Sequence, residues 1–457
     1  MLNEKFKERM KKLLPDEYEN FIDAIENQDA VRAVRVNTLK TSVKEFLDKS
    51  EIDCTAIPYT KDGFILNCAD GIGNTPEHHA GMIYVQDPGA MATANAIDIE
   101  KGWRVLDACA APGGKSGQAA AALAGEGFLH SNEYVPKRAK IVVSNFERLG
   151  IKNAIVTSLD TAEIGKLYSE FFDLVIADVP CSGEGMFRKS DEAITEWSEE
   201  NVLACAKRQE EILENLAPVV SHGGYLLYST CTYSLEENEM TVDKFLDRHP
   251  DFELIKVKDE LIEATSDGII FQGAKSKDLS LTRRFYPHKS KGEGQFIALM
   301  QRVGGEGAKQ TILYKDASKP LSKDESAALA CFFKENLIHA PEGKACKVGE
   351  NIMILSHGYP IPPKSVFSAG VLVGAVQKGL LFPSHQFFSA YGDLFKRKRT
   401  LCRTDEDLAR YLRGEEISSA DIENGWCAVF YEGAVLGGGK ASLRKIKNHY
   451  PKGLRTK

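Results

Sequence analysis

Two cysteines of this chain, Cys181 and Cys231, stand where a thiol can do chemistry. The strand-forming run Phe172-Asp173-Leu174-Val175-Ile176-Ala177-Asp178 leads into Val179-Pro180-Cys181, and Gly224-Tyr225-Leu226-Leu227-Tyr228 leads into Ser229-Thr230-Cys231. Open α/β sheets bind ligands outside the carboxyl ends of their strands, so both thiols are placed to attack a molecule held over a sheet. Thiolates are nucleophiles that form covalent intermediates. Ser234 and Glu237 read as a capping box that opens a helix just after Cys231. A helix N-terminus there would favour the Cys231 thiolate. The ten cysteines include no CxxC pair. That argues against a metal site and a disulfide framework, and for a reducing, cytoplasmic setting. Cys109, Cys205 and Cys331 read as inert packing residues.

A second set of residues suits a cationic cofactor. Asp107-Ala108-Cys109-Ala110-Ala111-Pro112-Gly113-Gly114-Lys115-Ser116 is a glycine-rich turn between a strand and a helix. Backbone N–H groups in such a turn can approach a ligand closely. The turn matches neither GxGxxG nor the phosphate-binding GxxxxGK[ST] pattern. Asp107 ahead of it repels pyrophosphate but suits a cation. Glu133 follows Gly113 by 20 residues, the position of a carboxylate that accepts from ribose hydroxyls. Asp160 and Asp178 end the next two strands. One such Asp is ordinarily a helix cap. Four acids on successive strand ends, with this turn, point to S-adenosylmethionine.

The elements that must position these groups alternate. Strands fit 104–108, 127–132, 154–158, 172–177 and 224–229, with helices at 115–124, 136–149, 162–169 and 199–219. This alternation predicts an α/β fold with a doubly wound, mostly parallel sheet. Segments 284–287 and 294–301 read as a β-hairpin supplying its last strands. Upstream, 1–27 reads as two helices parted by Pro15, and 32–38 and 54–67 as strands around a helix at 42–49. Segment 81–96 reads as a strand and a helix, with Asp87 as cap and Pro88 at its first position. Downstream, 303–319 reads as a linker and 320–388 as a mixed module with a helix at 324–336. The last module has a helix at 405–413, a strand at 425–431 and a turn at Gly437-Gly438-Gly439. The resulting division is 1–78, 79–302, 320–388 and 391–457.

The bulk numbers agree with a soluble globular protein: 43% of the 457 residues are hydrophobic and 27% charged. No apolar run approaches the ~18 residues of a membrane span. The N-terminal stretch has neither an apolar core nor a cleavage site, so it is not read as a secretory signal. The net charge of −7 hides an asymmetry. Residues 301–457 carry 24 Lys and Arg against 16 Asp and Glu, a net of +8; residues 1–300 carry 34 against 49, a net of −15. From Gly433 onward the chain has Lys440, Arg444, Lys445, Lys447, Lys452, Arg455 and Lys457 and no acid. With the cluster Lys396-Arg397-Lys398-Arg399, this favours an anionic partner.

In their order and spacing, DACAAPGGKS, NEYVPKRAK, DVPCSGEG and YSTCTYSLEENE resemble the motifs of the Sun/Fmu-type RNA 5-methylcytosine methyltransferases, across residues 1–302. QDPGAM and RRFYPHKSKGEGQFIALM are similar to motifs that flank the core, and GGGK with KNHYPKGLR resembles the PUA-like module of the RsmF (YebU) subgroup. The resemblance implies a Rossmann-like methyltransferase core using S-adenosyl-L-methionine, an N-terminal α+β module and C-terminal PUA-like RNA-binding modules. It implies that Cys231 is the nucleophile and that Cys181 assists product release. It implies that Cys109, Ala110, Ala111, Pro112, Gly113, Gly114, Lys115, Glu133, Asp160 and Asp178 hold the cofactor, supported by Arg138. The implied substrate is 16S ribosomal RNA of the small ribosomal subunit near the decoding site, where aminoglycosides bind, so an altered drug response is a further expectation. The basic residues named above, Lys457 aside, would contact that RNA. No membrane and no obligate protein partner is expected.

The chemistry asks for these residue types. C5 of cytosine is a poor nucleophile. Thiolate attack on C6 makes C5 enamine-like, a base later takes the C5 proton, and elimination frees the enzyme. Asp178, sharing a proton with N3, would stabilise charge on the ring. The base must be unstacked to be reached. Residue types alone leave open which thiol attacks, since a Pro-Cys thiol does so in DNA 5-methylcytosine enzymes; the resemblance favours Cys231. Two other readings are the same reaction on tRNA and a non-catalytic RNA-binding ribosome-assembly factor.

Overall fold

The computed structural model describes residues 2–68, 70–304, 311–356, 358–419 and 421–456. Helices α1 (Glu4–Leu13) and α2 (Tyr18–Glu26) precede a small antiparallel sheet in the order β2-β3-β1-β4. Its strands are β1 (Ala33–Val36), β2 (Cys54–Ala56), β3 (Gly63–Leu66) and β4 (Ile83–Val85), with α3 (Val43–Lys49) between the first two. β4 pairs with β1, so this sheet runs past the boundary expected at residue 78. The two leading helices do not cover it. Their Phe6 and Phe21 pack instead with Phe187, Trp197, Tyr233 and Tyr286, around the segments that follow Cys181 and Cys231.

The β/α alternation folds as read. After α4 (Pro88–Asn95), capped by Asp87, come β5 (Arg104–Asp107), α5 (Gly114–Leu123), β6 (Phe128–Asn132), α6 (Pro136–Leu149), β7 (Ala154–Thr157), α7 (Thr161–Leu167), β8 (Phe172–Asp178), α8 (Glu199–Leu216), β9 (Val220–Thr230), α9 (Glu239–Arg248), β10 (Arg283–Phe285) and β11 (Gln295–Arg302). The parallel strands lie in the order β9-β8-β5-β6-β7, and β11 and β10 extend the sheet antiparallel beyond β9. These strands read as near-continuous apolar runs because both faces are covered. Leu106 and Val175 face Leu213 and Leu216 of α8, while Val105, Leu174 and Ile176 face Ala120 of α5 and Phe146 of α6. The chain runs outward from β5 through β6 and β7, then returns to β8 on the other side. The crevice over β5 and β8 is therefore a topological switch point, where such sheets bind ligands.

The C-terminal third is tied to this sheet. The expected linker is partly ordered: Thr311–Ile312 pairs with Tyr168–Ser169 in a separate two-stranded sheet. Residues 305–310 of that stretch lie outside the described residues. β12 (Val366–Ala369), from the segment 320–388, pairs antiparallel with β7 and becomes an edge of the central sheet. The rest of the segment is α10 (Lys323–Asn336) and a four-stranded sheet of Lys344–Val348, Asn351–Leu355, Val371–Gln377 and Leu380–Pro383. α11 (His385–Tyr391) leads to a five-stranded sheet in which β13 (Lys398–Leu401), β14 (Gly425–Tyr431), β15 (Ala434–Ser442) and β16 (Lys445–Asn448) are adjacent, with α12 (Glu406–Leu412) between β13 and β14. Gly437, Gly438 and Gly439 are not the expected turn but the interior of β15. A Cβ at Gly437 would lie 2.6 Å from the Tyr411 hydroxyl, and one at Gly438 2.3 Å from the Phe388 ring. The glycines answer to packing, and the chain reverses at Glu432-Gly433 instead. Arg403 and the Tyr431 hydroxyl bind Glu77, and Lys40 Nζ donates to the Ser389 carbonyl, so the N-terminal and C-terminal modules share one packed body. Among the described residues no helix is long and apolar enough to cross a membrane.

Candidate active site

β8 and β9 lie side by side with Ser229 opposite Asp178. Past their ends the two thiols meet. The Sγ atoms of Cys181 and Cys231 are 3.2 Å apart, and the Cys231 amide donates to Cys181 Sγ at 3.3 Å. The bond to Cys231, then burial, raises the Cys181 thiol well above its ordinary value. Behind the thiols the loops brace each other through residues that sequence reading did not single out as ligands. The amide and hydroxyl of Ser182 donate to Glu237 at 2.9 and 2.5 Å. Gln209 donates to Glu237 at 2.8 Å and to the Pro180 carbonyl at 3.0 Å. Glu184 accepts from the Thr232 hydroxyl at 2.8 Å, the Tyr233 amide at 2.9 Å and the Trp197 indole at 2.9 Å. Burial raises both carboxyls, Glu237 to about 7.

This bracing overturns the capping box. The Ser234 hydroxyl donates to Glu236, and the Glu237 carboxylate is taken by Ser182. α9 opens only at Glu239, with no side-chain cap. A helix N-terminus thus does not follow Cys231 directly. The cation beside it is Lys115, whose ammonium burial would depress; Asp178 outweighs burial, with help from Asp107 and Cys231, and raises it.

Asp178 is pinned between the two sites. It accepts from Lys115 Nζ and from the Ser229 hydroxyl, each at 2.7 Å. Lys115 sits in the first turn of α5, so the glycine-rich turn and the thiol pair share one ion pair. In that turn Gly113 has φ +109°, a conformation that side-chain-bearing residues rarely adopt. A Cβ at Gly114 would press on Gln86 and Tyr84 at 3.2 Å. The Ala110 amide donates to the Asn132 carbonyl at 2.8 Å, and the Ala111–Pro112 bond is cis. Asp107 is buried, with Oδ2 accepting from Ser116 at 2.6 Å and Oδ1 without a partner. Burial, with repulsion from Asp178, pushes it to about 7. Glu133, at the end of β6, accepts from the amides of Ala111 at 3.3 Å and Val135 at 3.0 Å. Arg138 lies 3.6 Å from Glu133 and donates to the Ala111 carbonyl at 3.0 Å. Burial raises the Cys109 thiol. An orphaned carboxylate oxygen, an open glycine turn and a second carboxylate one strand away fit a ligand with a cationic centre and vicinal hydroxyls, as S-adenosylmethionine has. Asp160 is the outlier: it is exposed and caps α7 through the Ala162 amide at 2.9 Å.

The other candidates divide. Lys440, Arg444, Lys445, Lys447 and Lys452 are exposed. Lys445 stands 3.6 Å from Glu416. Arg455 is turned inward to the Tyr450 carbonyl. In the cluster, Lys396 donates to the Lys334 carbonyl, Arg397 to Asn336, and Arg399 to Asp405 at 2.9 Å, while Lys398 lies over the Phe430 ring. These side chains hold the module together as well as charging it. Lys457 lies outside the described residues. Cys205 is buried as read, but Cys331 is exposed. Among the described residues no group of three His, Cys, Asp or Glu could hold a metal ion.

Comparison with known proteins gives this geometry a lineage. The family model for the 16S rRNA methyltransferase RsmB/F matches residues 94–301. The model for the N-terminal domain of 16S rRNA methyltransferase RsmF matches 2–88, and that for the methyltransferase RsmF PUA domain matches 398–456. Ribosomal RNA small subunit methyltransferase F of Vibrio vulnificus (strain YJ016) is 31% identical, over 99% of this chain and 97% of the relative. Its Aeromonas salmonicida counterpart is 30% identical, over 93% and 90%. A solved methyltransferase homologue from Pyrococcus horikoshii superposes with a TM-score of 0.57 at 29% identity, covering 66% of this chain and 95% of that one. NSun6 from the same organism, solved with SFG, shares the fold at a TM-score of 0.55 and 21% identity, covering 65% and 98%. With a match that spans nearly its whole length, the chain belongs to the ribosomal RNA small subunit methyltransferase F family of S-adenosylmethionine-dependent methyltransferases.

Proposed function

We propose that this enzyme forms 5-methylcytosine in 16S ribosomal RNA near the decoding site of the cytoplasmic small ribosomal subunit, through a covalent bond between Cys231 and C6. The observation that carries the reading is the contact of two thiols over the ends of β8 and β9, beside Asp178. The Cys231 thiolate bonds to C6 of a base turned out of its stack, and the displaced electron pair moves toward N3. N3 takes up a proton from water as charge builds there, the Asp178 carboxylate, fixed by Lys115 and Ser229, accepts the resulting N3–H, and N3 gives the proton back when the ring is restored. S-adenosylmethionine, when bound, supplies the methyl group for C5. After loss of the C5 proton to a base, the C6–sulfur bond breaks and the Cys231 thiolate departs. Cys181, whose sulfur touches that of Cys231, is the partner at that elimination.

The test uses small subunits and tRNA with a labelled methyl donor. Small-subunit RNA takes up label with the wild-type enzyme, and Cys231→Ala abolishes transfer. Cys181→Ala accumulates an RNA adduct retarded on a denaturing gel. Labelling of tRNA alone would overturn the substrate, and methylation by Cys231→Ala would overturn the nucleophile.

A further inference from the structure

The register of the C-terminal sheet sets three side chains in a row. Trp426 of β14 is opposite Lys440 of β15, and Lys440 is opposite Lys447 of β16. Ala428 and Phe430 share that face and are covered by the module containing α10. Lys440 and Lys447 are exposed beyond the cover. At its edge stands Phe382, 40% exposed, beside Leu380, 63% exposed; both lie on the outward side of the edge strand Leu380–Pro383. Phe382 meets Trp426 edge-on at 6.2 Å, His449 meets Trp426 at 4.8 Å, and Lys440 Nζ lies 5.7 Å from the Trp426 ring centre.

Like charges facing each other across a ladder are destabilising. Neither lysine has a carboxylate neighbour in sequence, because the stretch from Gly433 to the end contains no acid. Burial, then Lys447 and Lys440, lowers His449, a sign of the same positive field. Aromatic faces interleaved with uncompensated lysines hold an unpaired nucleic-acid strand: bases stack on the rings and phosphates meet the ammonium groups. A duplex offers the phosphates but no free base faces.

We infer that Leu380, Phe382, His449, Lys440 and Lys447, set around the buried Trp426, form a strip that binds a single-stranded stretch of the RNA substrate. Bases stack on Phe382 and phosphates lie along the lysine pair. The inference rests on the RNA reading above and deepens it, from general basicity to an unpaired strand held at the junction of two C-terminal modules.

The test titrates the full chain with fluorescent RNA of about 12 nucleotides, within the reach of such sites, as a single strand and as a duplex. Phe382→Ala weakens the single strand roughly tenfold and the duplex little, and Phe382→Trp restores the affinity. Lys440→Gln with Lys447→Gln lowers the slope of log affinity against log salt by about 1.4 for the single strand. Unchanged affinity in both variants, or equal loss on strand and duplex, overturns the strip. So does a variant that keeps its RNA affinity but loses binding to small-subunit proteins, since the partner would then be a protein. Strand binding by a wild-type chain that methylates no ribosomal RNA would count against the proposed function alone. Normal methylation by a wild-type chain whose variants bind the strand equally well would count against the strip alone.

Discussion

Glu184 and Glu237 are exchanged between the two thiol loops. Glu184, from the loop after Cys181, is bound by Thr232 and Tyr233 of the other; Glu237, from the loop after Cys231, is bound by Ser182 of the first. Neither loop can shift without unsatisfying a buried carboxylate of its partner. The Sγ–Sγ contact of 3.2 Å is therefore set by two braces rather than by the thiols themselves.

The exchange predicts coupling. Glu184→Ala strands two buried donors, the Tyr233 amide and the Trp197 indole, while the Thr232 hydroxyl keeps Ser182, and costs at least about 2 kcal/mol in urea unfolding at ~1–3 kcal/mol for each unpaired group. The milder pair Glu184→Gln and Glu237→Gln forms a double-mutant cycle, whose stability effects depart from additivity by more than ~0.5 kcal/mol. Additive effects would mean that the two braces act separately.

Glu237 also predicts a pH dependence of stability. Its folded value, about 7, lies above the ordinary 4.5 of an unfolded Glu, because burial disfavours the charge. The folded state therefore holds the proton more tightly than the unfolded state. The stabilisation this gives is fully present below pH 4.5 and is lost as pH rises to about 7. Its size is roughly 3–4 kcal/mol, for the rise from 4.5 to about 7 at ~1.4 kcal/mol per unit. Unfolding free energies of Glu237→Gln and wild type, compared across that window, should diverge toward low pH in favour of the wild type. Parallel curves would show that Glu237 does not titrate there.

The same residue marks what the sequence could and could not reveal. The core strands and helices are legible because each is fixed by its own apolar pattern and turn chemistry, and α6 falls on 136–149 as read. The thiols, the glycine turn and Glu133 are legible because motif spacing places them on strand ends. Ser234 and Glu237 satisfy a local capping pattern, but Ser182, 55 residues away, competes for the carboxylate and wins. β12 likewise joins the central sheet by pairing with a strand about two hundred residues earlier, which no local pattern encodes. Gly437 and Gly438 look like a turn until Tyr411 and Phe388 are seen to occupy the space of their missing side chains.

If Asp107 faces the cofactor, as proposed, it predicts a proton linkage to cofactor binding. Its buried carboxyl titrates at about 7. A bound cation favours the carboxylate, so binding of S-adenosylmethionine releases a proton below that pH. Affinity should weaken as pH falls from 8 to 6, approaching tenfold per unit at the lower end. Calorimetry in buffers of different ionisation heat reads the proton directly. Asp107→Asn should bind more weakly at pH 8 with a flat profile; a profile as steep as the wild type would assign the linkage to another group.

Arg284 and Glu239 form a wholly buried ion pair in which Arg284 also donates to the Tyr233 carbonyl at 2.8 Å. Tyr233, two residues beyond Cys231, is thus held by its carbonyl from β10 and by its amide from Glu184. Arg284→Met leaves Glu239 charged and unpaired and should cost roughly 3–5 kcal/mol. Replacing both partners by Met removes the stranded charge and should recover most of that stability. The double variant still lacks the donor to Tyr233. If the pair positions the Cys231 loop, kcat falls at unchanged KM in a protein that unfolds near the wild-type midpoint. Full kcat in the recovered double variant would reduce the pair to a fold element, and the positioning of the loop would then rest on the Glu184 and Glu237 braces.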